Sequence, residues 1–135
     1  MAAPVELIKR VPLFEKLSDR ELKTLAANFT DRKFKAGQEL TAEGQGAAGF
    51  FVIESGEADV TVEGEKRRAL GPGDYFGEIA LISSGSRTAT ITATSDGMSY
   101  GLTPWQFRPL VEEHAQIAWP LLEALAARVR ELENR

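Results

Sequence analysis

The stretch from residue 31 to about residue 102 consists of short apolar or alternating runs that are separated by glycine-containing turns. This pattern is typical of antiparallel β structure. In residues 88–94 the alternation is clean, and Ala89, Ile91 and Ala93 share one face. A mainly β fold with flanking helices follows, either a sandwich or a jelly-roll β-barrel of about eight strands. The strands expected are 32–35, 38–41, 49–54, 57–62, 66–70, 88–94 and 98–102.

Helical patterns precede this β region. An apolar helical segment interrupted at Pro12 is followed by Ser18 and Glu21, whose spacing is that of a capping box. Each side chain of such a box bonds the exposed backbone N–H of the other residue. We therefore predict N-terminal helices within residues 1–30, the second of them ending near residues 28–30.

Helical patterns also follow the β region. Thr103 and Gln106 predict a second capping box at the start of a helix. Pro109 is expected to break or kink this helix early, and Pro120 is expected to begin the last one. Inside the β region, residues 78–82 are too few for an ordinary helix and predict a single helical turn.

The chain length of 135 residues allows one core of ordinary size. We predict one domain over residues 1–135, with helices in 1–30, the β-barrel in 31–102 and helices in 103–135. The net charge of -4 argues against nucleic acid or an anionic membrane as the main partner. Without cysteine, and with His114 as the only histidine, neither a catalytic residue nor a metal site is expected. The absence of a signal sequence or a long apolar run predicts a cytoplasmic location.

Residues 76–90 read FGEIALISSGSRTAT and carry the strongest chemical signal. Gly77 precedes the short helix, where bare backbone and free N–H groups favour an anion. Arg87, nine residues after Glu78, can return over that helix with a planar donor. Glu78 would repel an anion, but its carboxylate can accept a hydrogen bond from a sugar hydroxyl. A phosphate beside a sugar hydroxyl describes a cyclic nucleotide.

This segment resembles the phosphate-binding cassette of the cyclic nucleotide-binding domain family, which occurs in catabolite-activator-type regulators, cyclic-nucleotide-dependent kinases and gated channels. The resemblance extends over most of the chain, because the family also has leading helices, an eight-stranded jelly roll and trailing helices. The family has glycines at the positions of Gly44, Gly56 and Gly73.

The resemblance implies a role for each site residue. Arg87 would bind the cyclic phosphate, Glu78 the ribose 2'-hydroxyl, and Thr88 the phosphate or the base. Two positions depart from the family pattern, since Ser86 replaces a usual proline and the last helix has no Ser or Thr to bond adenine. The implied ligand-binding residues are Phe76, Gly77, Glu78, Ile79, Ala80, Arg87 and Thr88.

These residues predict a non-enzymatic sensor that shifts its flanking helices when it binds a cyclic nucleotide. We expect cAMP as the ligand, with cGMP as the alternative, and an unknown downstream protein partner. A ligand-free interaction domain with a vestigial cassette and a metal-dependent cupin-like enzyme are weaker alternatives. In the simplest structural alternative, Glu78 and Arg87 only form a buried ion pair that closes the loop.

Two further patterns remain open. Leu122, Leu125, Val129 and Leu132 form a leucine seam on the last helix. This leucine seam either packs back on the barrel or pairs with a second copy as a homodimer. On the same helix, Arg128 or Glu131 could reach the base. The basic cluster at residues 66–68 is expected to be a solvated strand edge.

Overall fold

A computed structural model describes residues 3–41, 49–83 and 89–134 and contains two four-stranded antiparallel sheets. The first sheet has the strand order β1-β8-β3-β6, and the second has the order β2-β7-β4-β5. Edges of one sheet are not hydrogen-bonded to edges of the other within these ranges. The strands are β1 (Thr30–Phe34), β2 (Glu39–Thr41), β3 (Phe50–Ser55), β4 (Ala58–Val62), β5 (Glu65–Leu70), β6 (Tyr75–Phe76), β7 (Thr90–Ala93) and β8 (Gly97–Leu102).

The predicted fold class is confirmed, but the prediction that the sheets close into a barrel is wrong. The two sheets face each other as layers and meet through side chains, so the arrangement is an open jelly-roll sandwich. The seven predicted strands are present with ends shifted by up to about two residues where the ends are described. Strand β6 was missed, because two residues are too few to show an alternating pattern.

Strand β3 divides the core into two parts, because successive side chains point to opposite faces of a strand. Phe50 and Val52 pack towards the helices, whereas Ile53 belongs to the core between the two sheets. A strand with both faces covered reads as a continuous apolar run, which explains the sequence at residues 50–53. The intersheet core consists of Ile53, Ala58, Val60, Leu70, Ala89 and Ile91.

The helices cover the first sheet and begin at the predicted caps. Ser18 accepts a hydrogen bond from the Glu21 N–H, and the Glu21 carboxylate accepts one from the Ser18 N–H at 2.9 Å. Thr103 and Gln106 form the second capping box. The helices are α1 (Val5–Ile8), α2 (Asp19–Ala26), α3 (Pro104–Glu113) and α4 (Ala118–Glu133), with 3-10 turns at Pro12–Phe14 and Ala115–Ile117.

The break predicted at Pro109 is wrong, and the predicted start of the last helix at Pro120 is two residues late. Pro109 lies inside α3 without ending it, since the capped start and the buried Phe107 and Leu110 hold the helix on both sides of the proline. The last helix begins at Ala118 and Pro120 is its third residue. A proline is tolerated there because the first N–H groups of a helix have no intrahelical partner.

Candidate functional site

The predicted single helical turn is present as a 3-10 helix at Glu78–Leu81, which we call the cassette helix. Gly77 precedes it with a φ of 90°, in the left-handed region that glycine adopts without steric cost. This conformation turns the chain sharply from β6 into the cassette helix. As a result, Glu78 is fixed directly beside the end of the strand.

A cavity of about 590 Å³ lies beside the cassette helix. Its volume is within the range of small-molecule sites in proteins. Four of the predicted ligand-binding residues, Phe76, Gly77, Glu78 and Ile79, are brought together in its lining. The complete lining consists of Arg68, Asp74, Tyr75, Phe76, Gly77, Glu78, Ile79 and Arg128.

The other three predicted ligand-binding residues are placed differently or are not described. Ala80 does not line the cavity, and its N–H donates to the Gly77 carbonyl at 3.0 Å. The role expected for Ala80 stays a prediction. Arg87 and Thr88 lie outside the described residues, so their roles stay predictions.

An ion pair joins the cassette helix to the last helix. Nη1 of Arg128 lies 3.0 Å from Oε1 of Glu78. The Glu78 side chain is only 12% exposed, whereas that of Arg128 is 43% exposed. Arg128 therefore reaches the cavity from α4, and the described partner of Glu78 is this arginine. The sequence suggested Arg128 for the base and did not predict this contact.

Tyr75 lies in the middle of the charged groups of the cavity. Burial raises the pKa of its phenol above the usual value, and the negative charge of Glu78 adds to this effect. Arg128 and Arg68 oppose the rise. Tyr75 is thus a neutral hydroxyl at physiological pH, able to donate or accept a hydrogen bond. Its ring packs against Phe50, with 6.3 Å between the ring centroids.

Residues 71–74 form the turn that the sequence predicts. The Gly71 N–H donates to the Asp74 carboxylate at 2.8 Å, and Gly73 has a φ of 90°. The turn carries the chain from β5 to β6 and leaves Asp74 at the edge of the cavity. Its first role is structural.

The basic cluster at residues 66–68 lies on the edge strand β5, and all three side chains are exposed. The basic cluster at residues 66–68 was assigned to a solvated strand edge, which fits Lys66, since its Nζ lies 3.3 Å from the Asp59 carboxylate on the adjacent strand. Arg68 is exposed on the same strand and also lines the cavity, so the prediction of a solvated edge is confirmed.

The leucine seam is divided between the core and the surface. Leu125 packs against the core, next to the buried Leu121 and Ala124. The remaining seam residues, Leu122, Val129 and Leu132, are 54%, 52% and 61% exposed. The last helix thus packs on the rest of the fold with one face, and its apolar stripe remains exposed to solvent.

Residues 3–41, 49–83 and 89–134 contain no group of three or more His, Cys, Asp or Glu side chains that could hold a metal ion. In the same ranges, no helix combines the length and the apolar character required to cross a membrane.

Comparison with known proteins places this site in context. A family model described as "Cyclic nucleotide-binding domain" matches residues 31–114. The cAMP-dependent protein kinase regulatory subunit of Eremothecium gossypii is 40% identical over 91 residues, which is 67% of this chain and 20% of that protein. The cGMP-dependent protein kinase of Plasmodium berghei is 32% identical over 92 residues, covering 68% of this chain and 11% of the kinase.

One solved structure is similar in fold to this chain over nearly its whole length. The N-terminal domain of a transcriptional regulator from Streptomyces coelicolor A3(2) superposes with a TM-score of 0.86 and 27% identity, covering 95% of each chain. The two kinase relatives are much longer than the stretch that matches, since this chain spans a quarter of their length or less. The match to the family model covers more than half of the chain, and this chain belongs to the cyclic nucleotide-binding domain family.

Proposed function

We propose that this chain is a non-enzymatic sensor that binds a cyclic purine nucleotide in the cavity beside the cassette helix. One observation carries the proposal. A nearly buried carboxylate, that of Glu78, lies in a cavity of about 590 Å³ and is held there by Arg128 from the last helix. A carboxylate fixed in this way is a ready acceptor for a sugar hydroxyl.

The proposed roles follow the cavity lining and the sequence. Glu78 accepts a hydrogen bond from the ribose 2'-hydroxyl, and the backbone at Gly77 and Ile79 approaches the cyclic phosphate. From the sequence, Arg87 binds the phosphate, and Thr88 contacts the phosphate or the base. The backbone around Ala80 completes this cradle, as the resemblance implies.

Titration calorimetry with cAMP, cGMP and AMP tests the proposal. We expect saturable binding of at least one cyclic nucleotide and much weaker binding of AMP, since the open phosphate is larger and carries more charge. The relatives include kinases named for cAMP and for cGMP, so both ligands belong in the experiment. If neither cyclic nucleotide binds, the proposed function is wrong.

Glu78→Gln tests the role of the carboxylate in holding the sugar. A hydrogen bond to a charged acceptor contributes about 1.5–3 kcal/mol, so the affinity for the ribonucleotide should fall about 10- to 100-fold. The affinity for the 2'-deoxy ligand should change little, and the ratio of the two dissociation constants reports the effect.

Arg128→Ala is the control for Glu78→Gln, because it removes the same ion pair and leaves the carboxylate in place. This variant should keep the preference for the ribonucleotide. A ratio that is unaltered in Glu78→Gln would contradict the sugar role.

We also propose that the Glu78–Arg128 ion pair couples ligand binding to the position of the last helix. The ion pair links the cassette helix to α4. A sugar hydroxyl that donates a hydrogen bond to Glu78 uses the same carboxylate that holds Arg128 of α4. A ligand in the cavity therefore changes how strongly α4 is held. We expect this flanking helix to shift when the ligand binds.

Hydrogen exchange of the α4 amides tests this coupling. In the unmodified chain, ligand should change the exchange rates around Arg128. In Arg128→Ala, these amides should exchange faster without ligand, and ligand should add little further change. Arg130→Ala, a variant of the same helix outside the cavity lining, should behave as the unmodified chain. A full ligand response in Arg128→Ala would contradict the coupling.

Pairing of two chains along the leucine seam stays a prediction. It is supported by the exposed Leu122, Val129 and Leu132 on α4, and sedimentation velocity of the purified chain measures it. The downstream protein partner and the cytoplasmic location also stay predictions.

A further inference from the structure

A second cavity, of about 150 Å³, lies between the edges of the two sheets. Strand β1 is an edge of the first sheet and β2 is an edge of the second, and over the described residues the two strands do not pair. We call this space the edge cavity, and it shares no described lining residue with the cavity beside the cassette helix. Its lining includes Thr30 and Arg32 of β1, Leu40 of β2, Phe51 of β3, and Ser99 and Gly101 of β8.

Gly101 keeps the edge cavity open. It lies in a regularly paired part of β8, opposite Thr30 on one side and Phe51 on the other. Opposed residues share a face of a sheet, so a side chain at position 101 would point between the sheets as Phe51 does. Such a side chain would occupy part of the edge cavity, which glycine leaves free.

The backbone does not require glycine at position 101. Its φ is not positive, and a Cβ atom there would lie 3.5 Å from the Phe50 carbonyl oxygen, an ordinary van der Waals distance. Glycine inside a strand is destabilising relative to alanine, and it often marks a place where a ligand approaches the backbone closely. The presence of glycine at this position therefore favours an occupant of the edge cavity.

Apolar side chains form the inner wall of the edge cavity. Leu40 and Phe51 pack against the intersheet core, but each of them is only partly buried. An apolar cavity of about 150 Å³ is large enough to hold one benzene ring. The edge cavity therefore has room for a single ring or for an aliphatic group of similar size.

A nearly buried hydroxyl group lies on the same face as Gly101. The side chain of Ser99 is 4% exposed, and its Oγ donates to the Arg32 carbonyl oxygen at 3.5 Å, which is longer than the usual range. In residues 3–41, 49–83 and 89–134, no group donates a hydrogen bond to this oxygen. A serine hydroxyl accepts hydrogen bonds as well as donating one, so Ser99 can still bond a polar group of a ligand.

Arg32 is the only charged side chain in the described lining of the edge cavity. It is exposed, so its guanidinium lies on the solvent side of the cavity. In the described part of the chain, no carboxylate oxygen lies within 4.0 Å of it. A guanidinium binds a carboxylate through two parallel hydrogen bonds, so the lining suits an anion of this kind.

We propose that the edge cavity binds a small carboxylic acid whose apolar body is about the size of one ring. The apolar body lies between Leu40 and Phe51, against the bare backbone of Gly101. The carboxylate stays near the solvent and accepts hydrogen bonds from Arg32. Because the two cavities share no described lining residue, this acid and a cyclic nucleotide can be bound at the same time.

Titration of the ¹⁵N-labelled chain with benzoate, followed through the amide chemical shifts, tests the proposal. We expect saturable shifts at Arg32, Ser99 and Gly101, with a dissociation constant of about 1 mM or tighter. Benzamide has the same ring without the charge and should bind about 5- to 10-fold more weakly, because Arg32 is exposed and water screens its charge.

Substitutions of Gly101 test whether the ligand occupies the edge cavity. Gly101→Val fills the space beside Phe51 and should abolish benzoate binding. Gly101→Ala fills less of it and should weaken benzoate while leaving the midpoint of thermal unfolding equal or higher, because alanine fits the backbone at this position. This second variant keeps the experiment decisive if Gly101→Val does not fold.

Substitutions of two neighbouring cations test the role of the charge. Arg32→Gln should weaken benzoate about 5- to 10-fold and leave benzamide unchanged. Lys33→Gln is the matched control, because Lys33 is an exposed cation of the same strand outside the described lining. This variant should bind both compounds as the unmodified chain does.

Three results would overturn the proposal. The first is the absence of saturable shifts up to about 10 mM benzoate. The second is a set of shifts confined to the cavity beside the cassette helix, and the third is an unchanged benzoate affinity in a folded Gly101→Ala variant. None of these results depends on cyclic nucleotide binding, so the proposed function is tested separately.

Discussion

The Arg87→Ala variant is expected to bind its cyclic nucleotide tens to thousands of times more weakly than the unmodified chain. Loss of a charged donor to a desolvated phosphate costs about 2–5 kcal/mol. A cyclic phosphate carries a single negative charge, and the neighbouring Glu78 and Asp74 add further negative charge at the cavity. Removing Arg87 therefore leaves the phosphate near these carboxylates without the donor that the sequence assigns to it.

Arg87→Lys separates the charge of Arg87 from its geometry. An ammonium restores the charge but not the planar pair of donors, so this variant should recover only part of the affinity. Arg108→Ala is the matched control, because Arg108 is an exposed arginine of α3 outside the cavity lining. Calorimetry of the three variants measures the effect, and an unchanged affinity in Arg87→Ala would remove the proposed phosphate site.

The Phe50→Ala variant is expected to lose about 3–5 kcal/mol of unfolding free energy. Phe50 is 1% exposed and lies where the first sheet meets the helices. Its ring makes edge-to-face contacts with Phe14 and Phe29, each with centroids 5.8 Å apart, and it also packs on Tyr75 of the cavity. Truncation opens a cavity among the rings of Phe14, Phe29 and Tyr75, which come from three separate segments and cannot all close in on it.

Urea denaturation of Phe50→Ala measures this loss. Phe51→Ala is the neighbouring control, because Phe51 lies on the opposite face of β3 and is only partly buried. The loss in Phe51→Ala should be smaller. If Phe50→Ala loses no more than Phe51→Ala, the ring does not hold the helices to the sheet as the contacts indicate.

Predictions from the sequence are confirmed where the interaction joins residues that are close together in the chain. The capping boxes at Ser18 and Thr103 each join residues three apart, and both form as predicted. The turn at 71–74 and the cassette helix are likewise specified within a few residues. The break predicted at Pro109 does not occur, because packing on both sides of the proline outweighs its local preference.

The candidate site was predictable only along the cassette. Gly77 and Glu78 were identified because a motif of fixed spacing carries them, and both line the cavity. Ala80 was identified by the same motif, but its amide bonds within the helix. Arg68 and the contact of Arg128 with Glu78 had no comparable signal, since their partners are distant in sequence.

The sequence by itself determined the β region, the capped helices and the cassette, because alternation, capping and turn formation depend on neighbouring residues. The tertiary structure alone decided which charges share the cavity. Arg128 reaches Glu78 through the packing of α4, and Arg68 reaches the cavity from the edge strand β5. Both depend on contacts between separate elements, whose register and packing no single stretch of sequence records.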